Sequence, residues 1–300
     1  MVNSTYFESS RMDETASEVE PNPPSPSSSS ASQLSEWIRE QDLLKRRLVT
    51  VDDFPWKLPS PTDEVRGEVL AYVGGLDISF CTKDPSIGCA TLVVLDLRTL
   101  AVVLEESTLV RLHVPYVPGF LAFREAPVLL SLLETVKEKK KDAYPQVINE
   151  TYLEFCISPA YINPCFGLAC HLGVLADLPS IGIGKNLHFV DGLTMSGVKQ
   201  LLRSKENLSK DSVSLIGSSG HTWGVMIWIT HSDVIRSCEQ VALRPTQDAS
   251  KPIFVSVGCR ISLDTAFRIV RSTCKYKNPE PVRQADMRSR AFLRGKSYPC

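Results

Sequence analysis

Asp77 interrupts an otherwise apolar segment, VGGLDISF. A carboxylate in a buried strand is costly unless it is hydrogen-bonded or holds a metal ion. Taken alone, the residue leaves both readings open. Glu125 stands at the start of a helical run, where an acid is stabilising even without a catalytic duty. Lys185 follows the short strand SIGIG, where a lysine commonly serves as a solvated end. Between the first two lies VPYVPGFLAFRE, Val114 to Glu125. A core segment does not need Pro115 and Pro118, and a surface loop does not need Tyr116, Phe120 and Phe123. The stretch reads either as a buried aromatic turn or as a rigid apolar wedge set directly before a carboxylate. Cys165, Cys170 and His171 form the only tight Cys/His cluster, and they lack the four ligands of a closed zinc site.

The elements that must position these residues follow from pattern. Residues 21–30, PNPPSPSSSS, cannot bury apolar surface, and we expect residues 1–33 to form a disordered tail. Ser35 to Leu48 has helical apolar spacing, with Ser35 as its N-cap. Strands are expected over 68–80, 88–97 and 101–107, joined by short turns as an antiparallel meander. A buried helix over 124–141 ends in a basic last turn. A helix over 167–177, strands over 180–184, 223–230 and 253–258, and a helix over 262–274 follow. Residues 191–222 are polar and read as a helix plus loop. Antiparallel strands first and alternating elements later predict an α/β mixed sheet with helices on both faces.

Charge and composition set outer bounds. The whole chain carries 33 basic and 34 acidic residues, yet residues 1–33 hold five acids against one base, which leaves the remainder slightly basic. That balance permits a polyanionic partner without demanding one. No apolar run reaches the roughly 18 residues of a membrane span. The acidic start lacks the features of a secretory or transit peptide. With nine cysteines and no such signal, the cysteines are expected as reduced thiols of the nucleus or cytoplasm.

Several long segments occur in an order that identifies a family: GGLDISF, PYVPGFLAFRE, FGLACHLGVLADLPSIGIGKNL, SVGCRISLD and PEPVRQADMRSR. Together they resemble the endonuclease V nucleases, and the resemblance spans residues 34–296, leaving 297–300 as a short tail. It implies a ribonuclease H-like fold with a five-stranded mixed sheet. It implies a monomeric, magnesium-dependent endonuclease, with manganese able to stand in for magnesium. The substrate it implies is inosine in single-stranded RNA or deoxyinosine in DNA, cut at the second phosphodiester on the 3′ side. By the same resemblance Asp77 and Glu125 are metal ligands and Lys185 is a basic residue near the phosphate. Pro115, Tyr116, Val117, Pro118 and Gly119 are then a wedge inserted beside the deaminated base, with Tyr116 stacking on bases. A wedge of this kind offsets the unstacking of an extruded base.

The chain departs from the family pattern twice. The family places an Asp in a VDGNG-like motif after the helix, whereas here INETYLEFCISPAYINPC, residues 148–165, contains no Asp and no Gly. Glu150 falls beside the expected position, and Glu154 could be brought in by the longer loop. The family histidine of SVGHRIS is Cys259. On these grounds cleavage by this chain is expected to be impaired, and an inosine-binding module that does not cut is the alternative.

Overall fold

The computed structural model describes residues 28–59, 68–152, 166–185, 187, 191–203, 212–227, 253–276 and 278–295. The chain divides into two units, Met1–Glu36 and Trp37–Cys300. Helix α1 (Ser28–Lys45) begins ahead of its expected N-cap. Ser35 lies inside it and donates to the Ala31 carbonyl at 3.0 Å, which satisfies the hydroxyl within the helix.

In the second unit, strands β1 (Tyr72–Phe80), β2 (Ile87–Asp96) and β3 (Val102–Arg111) form the expected meander. Helix α2 (Leu121–Lys139) follows, and then β4 (Val147–Tyr152) pairs parallel with β1. Helix α3 (Leu168–Ala176) leads into β5 (Ser180–Gly184), parallel to β4. Helix α4 (Met195–Arg203), strands β6 (Ser212–Ile216), β7 (Thr222–Ile227) and β8 (Ile253–Val257), and helices α5 (Leu263–Ser272) and α6 (Glu280–Gly295) complete the described elements.

The sheet has eight strands, in the order β3-β2-β1-β4-β5-β8-β7-β6, rather than five. The first five in that order form the expected core. Every residue of β5 is buried, so an open edge there would leave backbone donors and acceptors away from water. Strand β8 pairs antiparallel along that edge, and β7 and β6 extend it. Strand β6 is hidden in sequence because SVSLI alternates serine with apolar residues. Only its period of two marks it.

Alternation along the strands loads both faces of the sheet. Leu76, Leu92 and Ile148 pack with Leu129 and Leu133 of α2 and Leu172 of α3. Val73, Val147 and Ile181 face the other way, with Ile269 of α5 and Val282 of α6. Gly75 lets α6 lie directly on β1: a Cβ there would stand 2.2 Å from the Pro281 carbonyl. No described helix is long and apolar enough to cross a membrane. Cys259 and Cys274 are free thiols, whereas Cys81, just past β1, is disulfide-bonded, contrary to the expectation of thiols throughout.

Candidate active site

The close approach of α6 to β1 builds the site. Ser289 of α6 donates to the Asp77 carboxylate at 3.3 Å, and Ser79, two residues along β1, donates to it at 3.4 Å. Val282, Ala285, Ser289 and Leu293 are the buried stripe of α6. The neighbouring positions Asp286, Arg290 and Arg294 follow four-residue spacing, so they share one side of the helix. All three line a cavity of about 770 Å³, and so do Asp77, Glu125, Lys185 and Tyr116.

The three predicted chemical residues are therefore brought together. Strands β1 and β4 are neighbours, as a converging site requires, with Gly74 opposite Ile148 and Leu76 opposite Glu150. Glu125 reaches the cavity from the second turn of α2. Lys185 comes from the end of β5 and stands 3.9 Å from Asp286. Of the wedge, Tyr116 lines the cavity and is half exposed. Pro115 and Pro118 are exposed and Val117 and Gly119 are partly covered. They frame Tyr116 and are not in the cavity wall. A buried aromatic turn is thus the wrong reading for residues 115–119. It is right for Phe120, which is 2% exposed.

Burial, then repulsion among neighbouring acids, dominates the electrostatics of the site. Burial raises the Asp77 carboxyl to about 6, with repulsion from Asp286 adding to it. Burial and then the charge of Asp77 raise Glu125 to about 8. Glu150 is 2% exposed, and burial followed by repulsion from Glu125 and Asp77 pushes it well above the carboxylate range. Its Oε2 has no hydrogen-bond partner. Buried acids that repel one another, offset by Lys185, Arg290 and Arg124, form an environment in which a further cation would relieve the repulsion.

Whether these residues fit magnesium can be asked of the donor set. Magnesium keeps several waters and is commonly held by one or two carboxylates plus substrate phosphate. Asp77 and Glu125 on one cavity wall meet that requirement. Among the described residues no three His, Cys, Asp or Glu side chains stand close enough to hold an ion by themselves. Glu150 adds charge from behind rather than a finished third ligand. It aligns with Leu76, which places it on the α2 face of β4, and it is not in the cavity wall. Glu154 lies outside the described residues.

A further expectation changes. Cys259 is not in the cavity wall: it packs with Leu44, Phe166, Cys170 and Val174. Its amide donates to Ser180 Oγ at 2.8 Å. The end of β8 turns that position toward α3, so its identity bears on packing. The set of candidates changes as well: Asp286, which the sequence reading does not single out, lines the cavity. Its signal was present in QADMRSR, as a carboxylate four residues before an arginine, but that spacing is also an ordinary helix-surface ion pair. Indeed Arg290 pairs with it at 2.7 Å.

Comparison with known proteins now decides the family. The endonuclease V family model matches residues 59–287, well over half of the chain. The chain belongs to the endonuclease V family. Mouse endonuclease V is 41% identical over 262 residues, covering 87% of this chain and 70% of the mouse protein. Human endonuclease V is 40% identical, covering 87% of this chain and 83% of the human one. The crystal structure of the catalytic domain of human endonuclease V superposes with a TM-score of 0.71 at 37% identity, covering 88% of this chain and 97% of that one. A Ciona intestinalis endonuclease V, solved with DNA containing an inosine followed by a ribo-adenosine, gives 0.70 at 27% identity, with 88% and 99% covered. The α/β fold is accordingly the ribonuclease H-like one of this family, and the endonuclease V family consists of nucleases that hydrolyse phosphodiester bonds.

Proposed function

We propose that this chain acts as a monomer on inosine-containing single-stranded RNA or DNA, hydrolysing the second phosphodiester 3′ to the inosine with magnesium or manganese. The observation that carries the reading is one cavity lined at once by Asp77, Glu125, Lys185 and Tyr116. Tyr116 offers its ring to a neighbouring base as the inosine leaves the stack. The ammonium of Lys185 and the guanidinium of Arg290 are placed to meet phosphate oxygens, each already facing the Asp286 carboxylate. Asp77 and Glu125 would hold the cation through carboxylate oxygens. When bound, the cation supplies charge neutralisation and an activated water for in-line displacement at phosphorus. Burial and the charge of Asp77 raise Glu125 to about 8, so a cation held there would favour its ionised form.

A second reading, recognition without efficient cutting, is favoured by Glu150 standing behind the cavity wall rather than in it. A misplaced carboxylate misplaces the ion, and an error of about 1 Å can cost roughly a hundredfold in rate. Both readings are tested by one pair of measurements on the full chain: cleavage of end-labelled inosine strands with magnesium, manganese or chelator, and binding of the same strands with chelator. Magnesium-dependent cutting two positions 3′ to inosine supports the nuclease. Binding that prefers inosine with no cutting supports the second reading. Equal binding of inosine and guanosine strands without cutting defeats both.

A further inference from the structure

The wedge is held at both ends by side chains from outside it. At its start, Arg124 donates through Nη1 to the Val114 carbonyl at 2.6 Å and through Nη2 to the Pro85 carbonyl at 3.0 Å. The same guanidinium lies 5.1 Å from the Phe80 ring centroid. At its end, Gln41 of α1 donates through Nε2 to the Gly119 carbonyl at 3.3 Å. That amide also serves the Phe166 carbonyl at 3.4 Å, just ahead of α3. Both acceptors are carbonyls, so the NH₂ end of the amide must face them.

Gln41 is 2% exposed, an uncommon site for a glutamine. One turn earlier Trp37 stacks on Phe123 at 5.2 Å and 14°, and lies 5.8 Å from Phe120. Gly119, with φ of +81°, is where the chain leaves the wedge for α2. A residue with positive φ can swing if its carbonyl is released. Phe120, beneath Trp37, and Gly119, under Gln41, are the two positions that set the direction in which Tyr116 projects.

We propose that Gln41 and Trp37 are positioning residues for the wedge: they fix where Tyr116 stands over the cavity and so set the preference for inosine over an ordinary base. The inference rests on the wedge reading given above, and it assigns to α1 a part in base choice beyond packing. An alternative duty, holding the fold together, predicts a different result. Loss of packing lowers melting temperature and leaves base preference untouched below the melt. Loss of positioning lowers base preference while the wedge is present, and does nothing more once Tyr116 is gone.

The experiment is a double-variant cycle on the full chain with chelator, so that binding is read without cutting. Its readout is the ratio of affinities for one single strand carrying inosine or guanosine at the same position. Gln41→Met keeps volume and removes the donor. We expect it to lower the ratio about fivefold and Tyr116→Ala to lower it about tenfold, separately from the roughly five- to 150-fold loss of affinity for both strands that one lost base stack brings. The combined variant is expected to fall no further than Tyr116→Ala alone. Losses that multiply, or a ratio unmoved by Gln41→Met despite a lowered melting temperature, overturn the proposal. A ratio unmoved by Tyr116→Ala overturns the wedge reading itself, and the positioning role with it. Should Gln41→Met fail to fold, the same cycle with Trp37→Leu, which keeps apolar bulk but not the stack, decides by the same criteria.

Discussion

The wedge, Val114–Gly119, and the inner part of β4, Val147–Glu150, are opposite in construction. The wedge is largely exposed, yet the carbonyls at its two ends are each tied by a side chain, Arg124 at one and Gln41 at the other. The β4 segment is fully buried, yet Asn149 leaves both its amide nitrogen and its amide oxygen without partners, and Glu150 leaves Oε2 so. A buried polar group left unpaired costs about 1–3 kcal/mol. The wedge is therefore a preorganised element and the inner part of β4 an under-satisfied one. The two can fail independently, and variants can be chosen to strike one and leave the other.

The largest expected effect falls on the chemical side. Asp77→Asn should reduce magnesium-dependent cleavage on the order of a hundredfold or more, the scale of losing alignment at the reacting centre. Affinity for an inosine strand in chelator should stay within about threefold. A parallel collapse of binding and cutting would show that the two regions are not separable. Next comes Glu150→Gln, which is nearly isosteric and removes the buried charge. If Glu150 supports the ion from behind, cation affinity read from the magnesium-dependent rise in melting temperature should weaken roughly tenfold to a hundredfold, the usual cost of losing a residue that backs the ligands. The metal-free protein should be about equally stable, because the replacement is nearly isosteric and burial with the neighbouring acids already disfavours charge on Glu150. An unchanged magnesium response would remove Glu150 from the site.

Asn149→Leu tests the other half of the β4 argument. Replacing an unpaired buried amide by an apolar side chain of similar size should raise unfolding free energy by about 2 kcal/mol, measured by urea denaturation. A loss of stability would mean that the amide does find partners in solution. The smallest effect concerns phosphate contacts. Arg290 and Arg294 line the cavity, whereas Arg283 is tied to Glu280 at 2.6 Å and Arg288 to Glu105 at 2.7 Å. Changing the first two to Gln should flatten the log–log salt slope of single-strand binding by roughly 1.4, at about 0.7 per phosphate contact. Changing Arg283 and Arg288 should leave it as it was. Equal effects from both pairs would dissolve the distinction between cavity-facing and structural arginines.

Much of this was legible before any coordinates. SIGIG, between Pro179 and Lys185, is expected as a strand over 180–184, and β5 runs over those same residues. The close approach of α6 at Gly75, just ahead of Asp77, is by contrast seen only in the structure. The full width of the sheet was not legible, because serine occupies two of the five positions of β6 and the polar stretch around it hides a period of two. The start of α1 was misplaced because serine caps helices but is also tolerated inside them when it can bond to the carbonyl four residues back. Asp286 was overlooked because a carboxylate in a basic helix has a sufficient local explanation in its own arginine.

Sequence by itself determined the residue types and the local periods: a carboxylate in an apolar strand, a rigid aromatic wedge ahead of Glu125, and a helix with a buried stripe. Those follow from interactions within a few residues, which propensity and period report directly. Tertiary structure alone decided which side chains share the cavity. Asp77 and Ser289 are 212 positions apart, and Gln41 and Gly119 are 78 apart. No local pattern records which flank of α6 meets β1. The same packing turned Cys259 into the core and put Glu150 behind the wall. It also placed Arg290 and Arg294 of α6 at the cavity while binding Arg283 to Glu280 and Arg288 to Glu105. Such choices depend on how two faces fit when the sheet closes over its helices, and only close packing of the whole domain settles them.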